Sequence, residues 1–373
     1  MINSSYDRIV VKAGTSLLTS GTDHLDLKLM KSLVNQISDL HSQGIEMILV
    51  SSGAVTAGRQ VLGISRESKM LPARQMLAAI GQGHLMHIYA QLFEQHKIPV
   101  AQALLSRGNL DDRLGYLNVR NTLLELIEHK VIPIINENDV VAIEEITGEN
   151  FGDNDTLSAM VANLIDADLL IILGEVKGLF TADPNLDPAA HLIPKVDRLT
   201  EDITSKGGPP RDHRGSGGMA TKLDAARLAT ASAVNVVIAS GTENNIIKKL
   251  AIGEDVGTLF PATSTKMESR KRWMLSGLST QRYVLVDKGA ATALLENNRS
   301  LLPAGVTKIL GSFDRGDVIG ILNTTETKVA CGITNYNSSE LSKIKGVHSD
   351  HIENILGHHY GVEVVHRNNM VIL

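Results

Sequence analysis

The chain has 373 residues, 43% of them hydrophobic and 21% charged, with a formal net charge of −5. That composition excludes wholesale disorder, and the slight acidity excludes a chain that is basic throughout, as a nucleic-acid coating protein would be. A lone cysteine, Cys331, excludes an internal disulfide and a cysteine-rich zinc site, and no apolar run approaches the ~20 residues that span a bilayer.

In chain order, Met1–Asp7 is polar and lacks an apolar leader, so the reducing cytoplasm is the expected compartment. The first strand-like run, Arg8–Lys12, opens into VVKAGTSLL, where Gly14 and two hydroxyl residues follow Lys12. Glycine lets a turn approach a phosphate, and successive N–H groups cradle an anion. A lysine at the end of such a strand points into the crevice where α/β sheets bind ligands. A strand that ends in a snorkelling lysine reads the same letters.

Helical spacing over Leu27–His41 leads to a second run, Glu46–Val50, followed by Ser51, Ser52 and Gly53. Hydroxyls and free N–H groups at a helix N-terminus form an anion site, and a serine there also serves as an ordinary cap. After helical stretches at Pro72–His96 and Tyr116–His129, the run Val131–Ile135 meets Asn136, Glu137, Asn138 and Asp139. Two amides and two carboxylates suit a substrate ammonium group, or a loop of Asx turns. In GDNDTLSA, Gly152–Ala159, the residues Asp153, Asn154 and Asp155 precede helical spacing over Thr156–Ile165. Asp155 either caps that helix or holds catalytic lysines.

The run Leu169–Leu173 comes next, and then the strongest local signal, SGGMATKLDAA at Ser216–Ala226. A Gly-rich loop, a helix N-terminus and Lys222 make a phosphate-binding arrangement that is neither a P-loop nor a dinucleotide fingerprint. Helical spacing continues to Ala233, before the run Asn235–Ala239. Two lysines at separate strand–helix junctions, with an aspartate between them in sequence, point to phosphoryl transfer, in which positioned cations stabilise spreading charge.

Strand–helix alternation predicts an α/β fold, a mostly parallel open sheet sandwiched between helices. The low aromatic content, 3%, suits the small aliphatic layers of such a sheet. Near residue 260 the pattern changes. A connector over 261–273, bearing Arg270, Lys271 and Arg272, precedes short strand-like runs at Tyr283–Val286, Val306–Lys308, Val318–Leu322 and Val329–Ile333. From residue 270 onward 12 basic side chains face 9 acidic ones, against an acidic excess before it. The expected division is 1–260, a linker at 261–273, and a small β-rich domain over 274–373. His348, His351, His358, His359 and His366 lack the spacing of a helical zinc pair, so no metal site is expected.

VVKAGTSLL, VSSGAVTAGR (50–59), INENDVV (135–141), GDNDTLSA, KGLFTADP (177–184) and GGMATKLDAA (217–226) occur together and in order, and in that combination the chain resembles the amino acid kinase family. SLLPAG (300–305), FDRGDV (313–318) and NYNSSEL (335–341) resemble the PUA domain appended to many members. NEND, GDND and a PUA tail together are similar to the glutamate-phosphorylating branch. The resemblance implies ATP-dependent phosphorylation of the γ-carboxylate of L-glutamate, the first step of proline biosynthesis, with Mg²⁺ on the nucleotide and L-proline as feedback inhibitor.

It further implies that Lys12 and Lys222 stabilise the transferring phosphoryl group and that Asp155 orients them. Ser52, Gly53, Ala54, Asp139 and Asn154 would hold glutamate. Lys12, Gly14, Gly174 and Glu175 would hold the nucleotide with the run Ser216, Gly217, Gly218, Met219, Ala220, Thr221 and Lys222. A homo-oligomer and a hand-off to glutamyl phosphate reductase belong to the same expectation. Two departures stand out: Gly174–Glu175 where relatives commonly show Thr-Asp, and a Pro- and Arg-rich loop at Gly207–Gly215. The competing readings are another amino acid kinase, acting on acetylglutamate, aspartate or a nucleoside monophosphate, and an RNA-binding role for the tail. Asp139 favours a free ammonium group over an acetylated amine. The tail's modest charge disfavours RNA.

Overall fold

Among the described residues, seven aliphatic runs form one sheet: β1 (Arg8–Ala13), β2 (Glu46–Ser51), β3 (Val100–Leu105), β4 (Ile132–Glu137), β5 (Leu169–Gly174), β6 (Asn235–Ser240) and β7 (Thr258–Phe260). The structure is a computed structural model, and it describes residues 4–64, 70–141, 154–184, 186–200, 203, 218–263, 265, 282–297 and 299–373. The spatial order is β3-β4-β2-β1-β5-β6-β7. All neighbours run parallel except β6 and β7, which are antiparallel.

The helices of this part are α1 (Thr15–Thr19), α2 (Leu27–His41), α3 (Ala54–Leu62), α4 (Leu71–Glu94), α5 (Arg107–Asp111), α6 (Arg113–Glu128), α7 (Asn154–Leu164), α8 (Met219–Ala231) and α9 (Ile246–Ala251). Strand side chains alternate between faces. Ile9, Val11 and Ala13 of β1 therefore share a core with Met30, Leu33 and Ile37 of α2, Leu85 and Tyr89 of α4, and Ile246 and Ile247 of α9. The intervening residues of β1, Val10 and Lys12, face the other side, where α7 packs on the sheet and α8 packs on α7. With helices on both faces, strands β1, β2, β4 and β5 are buried almost end to end, which is why they read as uninterrupted aliphatic runs.

From the central β1 the chain moves one way to β2 and later the other way to β5. The C-terminal ends of β1 and β5 therefore flank the point where strand order reverses, the place where open parallel sheets bind ligands. Beside it, α3 and α4 meet backbone to backbone. A Cβ on Gly58 would lie 1.9 Å from Leu77 O, and one on Gly81 would lie 1.9 Å from Ala54 O.

The chain divides into two compact units, Met1–Asp111 with Val119–Thr265, and Asp112–Asn118 with Lys266–Leu373. No local signal in the sequence marks residues 112–118 as part of the second. That unit holds a five-stranded sheet of β8 (Tyr283–Val286), β9 (Val306–Leu310), β10 (Val318–Leu322), β11 (Lys328–Ile333) and β12 (Met370–Ile372), in the order β12-β11-β10-β8-β9. It also holds α10 (Lys288–Asn297), α11 (Ser338–Ile344) and α12 (Ile352–Leu356), which a reading of strand-like runs alone passes over. Asn337 and Glu340 close a capping box on α11. Ile319, Ile321, Phe313, Tyr336 and Leu341 build its core. Of the tail histidines, His348 pairs with Asp350 and His358 with Glu340.

Candidate active site

Lys12 leaves the sheet one residue before the end of β1, Asp155 occupies the first turn of α7, and Lys222 the first turn of α8. Lys12 Nζ lies 2.5 Å from Asp155 Oδ1, and Lys222 Nζ lies 2.9 Å from Oδ2. Thr221 Oγ1 donates to the same Oδ2 at 3.0 Å. Asp155 is 0% exposed, Lys12 3% and Lys222 8%. Burial works against the charge on Asp155, but the two ammonium groups outweigh it and hold the carboxyl well below its ordinary range. The trio brings two ammonium groups to one buried carboxylate at the end of the central strand.

This geometry decides two ambiguities of the sequence. Lys12 does not snorkel to solvent, and the Asp155 carboxylate is engaged by lysines and Thr221 rather than spent on a helix cap. Likewise Ser52 caps nothing: the residue before α3 is Gly53, at φ +99°, with no side-chain cap. The left-handed conformation suits glycine, and it leaves the first N–H groups of α3, from Ala54 on, without intrahelical partners.

Ser52 Oγ instead accepts from Asn154 Nδ2 at 2.8 Å. The same nitrogen reaches Asn136 Oδ1 at 3.1 Å, which also accepts from Glu137 N at 2.9 Å. Asn136 Nδ2 donates to Gln82 Oε1 at 2.8 Å. Asn136 and Glu137 are the last two residues of β4 itself, not of the loop beyond it; Asp139 follows in a half-buried turn. Ser51 meets the buried hydroxyl of Tyr89 at 2.9 Å, and burial pushes that phenol up to about 12, which keeps it neutral.

On the other side of Lys12, a Cβ on Gly14 would stand 3.2 Å from its Nζ, and a Cβ on Gly174 would stand 3.4 Å from Lys222 Cε. Both glycines thus keep the approach to the ammonium groups open. Glu175 is exposed just past β5, and its carbonyl accepts from Ser240 Oγ at 3.2 Å. Gly218 precedes α8 without a side-chain cap, and Met219, Ala220 and Thr221 form its first turn. Ser216, Gly217, Asp153 and the loop 207–215 lie outside the described residues. Gln82 carried no motif signal, because its partner Asn136 lies 54 residues further along the chain. Asn136 was legible as part of NEND, but its place on a strand was not.

A parallel sheet with two lysines and a carboxylate at its switch point defines a class of phosphate-handling protein. Residues 7–240 match the amino acid kinase family and residues 282–356 the PUA domain, and the chain belongs to the amino acid kinase family. It is 52% identical over 373 residues to the glutamate 5-kinase of Dehalococcoides mccartyi, covering 100% of each chain. It is 50% identical over 364 residues to the glutamate 5-kinase of Herpetosiphon aurantiacus, covering 98% of each. To that of Deinococcus radiodurans it is 46% identical over 366 residues, covering 98% of this chain and 100% of the other.

Proposed function

We propose that the chain transfers the γ-phosphoryl group of ATP to the γ-carboxylate of L-glutamate, giving glutamyl 5-phosphate and ADP. The observation that carries this reading is the buried Lys12–Asp155–Lys222 trio, in a chain similar over its full length to proteins named for that reaction. A carboxylate oxygen of glutamate attacks the γ-phosphorus, and the bond from phosphorus to the β-phosphate oxygen breaks. Negative charge spreads over the transferring oxygens, and Lys12 and Lys222 stabilise it from fixed positions. Asp155 is a positioning residue: it holds both ammonium groups at one point, so little reorganisation remains when the phosphoryl group arrives.

Glutamate's α-carboxylate fits the open N-terminus of α3 at Gly53 and Ala54, and its ammonium fits Asp139 and the Asn154 amide. The nucleotide fits the glycine-lined side at Gly14, Gly174 and the start of α8, with Ser216 and Gly217 completing that loop in sequence. Both Asp155 oxygens face lysines, and among the described residues no group of three acidic, histidine or cysteine side chains gathers to hold a metal. Mg²⁺, a hard ion that keeps most of its waters, suits the phosphate oxygens of ATP.

L-Proline shares the α-amino and α-carboxyl groups of glutamate, so it fits the same contacts as a feedback inhibitor without offering an acceptor oxygen. A homo-oligomer, hand-off of the labile acyl phosphate to a reductase, and a cytoplasmic setting complete the reading. Among the described residues no helix is long and apolar enough to cross a membrane. The deciding assay measures ADP release from ATP and Mg²⁺ with each acceptor in turn. L-Glutamate supports turnover; turnover on N-acetylglutamate, aspartate or UMP with none on glutamate would refute the assignment.

A further inference from the structure

Ser51 ends β2 with its side chain turned toward α4, and Ser52 turns the opposite way, toward Asn154. Ser51 Oγ lies 2.9 Å from the hydroxyl of Tyr89 and 3.1 Å from Ser52 O. Each hydroxyl carries one proton, and the carbonyl can accept but not donate. Among the described residues the Tyr89 hydroxyl has Ser51 Oγ as its partner, and both residues are buried. One arrangement gives both protons an acceptor: Tyr89 donates to Ser51, and Ser51 donates to Ser52 O. The relay ends on a fixed acceptor, so its direction is settled.

The peptides on either side of the Ser52–Gly53 bond are tied to backbone. Ser52 N donates to Ala13 O at 3.2 Å, and Gly53 O accepts from Ala57 N at 2.9 Å. The Ser52–Gly53 peptide between them has the Ser51 hydroxyl instead. It is trans, so its N–H points opposite to its carbonyl. A carbonyl held toward Ser51 and Tyr89 sends the Gly53 N–H away from α4, to the side where Ser52 Oγ meets Asn154. We propose that Ser51 is a positioning residue: its hydroxyl locks the Ser52–Gly53 peptide so that the Gly53 N–H faces the substrate's α-carboxylate, and Tyr89 fixes the direction of the Ser51 proton. The inference rests on the reading that the acceptor is L-glutamate. Gly53, at φ +99°, needs such a lock, because a glycine turns at little cost. Without the hydroxyl at position 51, Ser52 O is left buried and unpaired, and the peptide gains by turning toward another donor. The Gly53 N–H turns with it.

The test is steady-state kinetics of the full chain with ATP, comparing L-glutamate with 4-aminobutyrate, which keeps the ammonium and the reacting carboxylate and lacks the α-carboxylate. The wild type prefers L-glutamate. Ser51→Ala narrows that preference by about tenfold, the scale of a hydrogen bond to a charged group, through KM for L-glutamate with KM for ATP unchanged. Tyr89→Phe leaves Ser51 its proton and its carbonyl acceptor, and it keeps the preference. Ser51→Ala also strands the buried Tyr89 hydroxyl, so Ser51→Ala with Tyr89→Phe removes both groups. The double variant recovers thermal stability over Ser51→Ala, yet its preference stays narrowed; should Ser51→Ala not fold, the double variant reads the same ratio. A role in packing alone would weaken both acceptors together, and an unchanged ratio in folded Ser51→Ala or in the double variant overturns the proposal. Equal narrowing in Tyr89→Phe and Ser51→Ala means a general loosening of α4 and overturns it as well. A wild type that phosphorylates only some other acceptor removes the substrate reading and this inference with it. Turnover of glutamate with an unaltered ratio removes the inference alone.

Discussion

Asp155 holds two ammonium groups where water does not reach, and both stability and the proposed chemistry depend on its charge. Its carboxyl is depressed in the folded chain, so it contributes stability above the ordinary carboxylate range, near pH 4, and loses it as pH falls toward the depressed value. Asp155→Asn leaves two buried cations facing a neutral amide, and the expected loss at pH 7 is about 3–5 kcal/mol. Denaturant midpoints of wild type and variant across pH 7 to 3 check this: the gap is constant at neutral pH and narrows below about pH 4. The lysines answer to kinetics instead. Lys12→Ala and Lys222→Ala each lower kcat by about 10²-fold or more, as expected for a lost charge contact at the transferring group. Rates within a few-fold of wild type for both would refute their assignment.

At the scale of elements, the start of α3 at Gly53 and Ala54 is held by a close backbone contact with α4. Gly81 has no room for a Cβ, whereas Gly83, two residues on, faces open space. Gly81→Ala pushes the helices apart, costs about 1–3 kcal/mol, and raises KM for glutamate because Ala54 and Gln82 both shift. Gly83→Ala on the exposed side stabilises α4 by up to about 1 kcal/mol and leaves KM alone. Thermal melts and glutamate titrations of the two variants separate these outcomes; equal effects would mean that the helix contact does not position the site.

At the scale of the whole molecule, Lys12, Ser52, Asp139, Asn154, Asp155 and Lys222 all belong to the first unit, and the second has a hydrophobic core of its own. Ile321 is fully buried in that second core. Ile321→Ala leaves a cavity worth about 2–5 kcal/mol and is expected to lower an unfolding transition assigned to the second unit. At 25 °C, well below that transition, kcat/KM for glutamate stays within a few-fold of wild type. Calorimetry paired with the ADP assay checks both halves, and loss of turnover in a still-folded variant would show that the chemistry needs the second core.

Periodicity alone made the α/β alternation legible, because strands covered on both faces must be aliphatic throughout and helices must repeat near 3.6. The glycines and lysines at strand ends were legible for a similar reason: close approach to an anion needs residues without side-chain bulk and with positive charge. Local letters could not decide between two uses of the same residue. Whether Asp155 caps a helix or pins two lysines, and whether Ser52 caps a helix or meets Asn154, depends on partners 67 and 102 residues distant in the chain. The same holds for Gln82, an unremarked amide in an apolar helix until β4 brings Asn136 to it across 54 residues. Short-range order follows from the sequence because its energies are local; the long-range partners of a buried hydrogen-bond chain are a property of the packed whole, since only the tertiary fold brings them within reach.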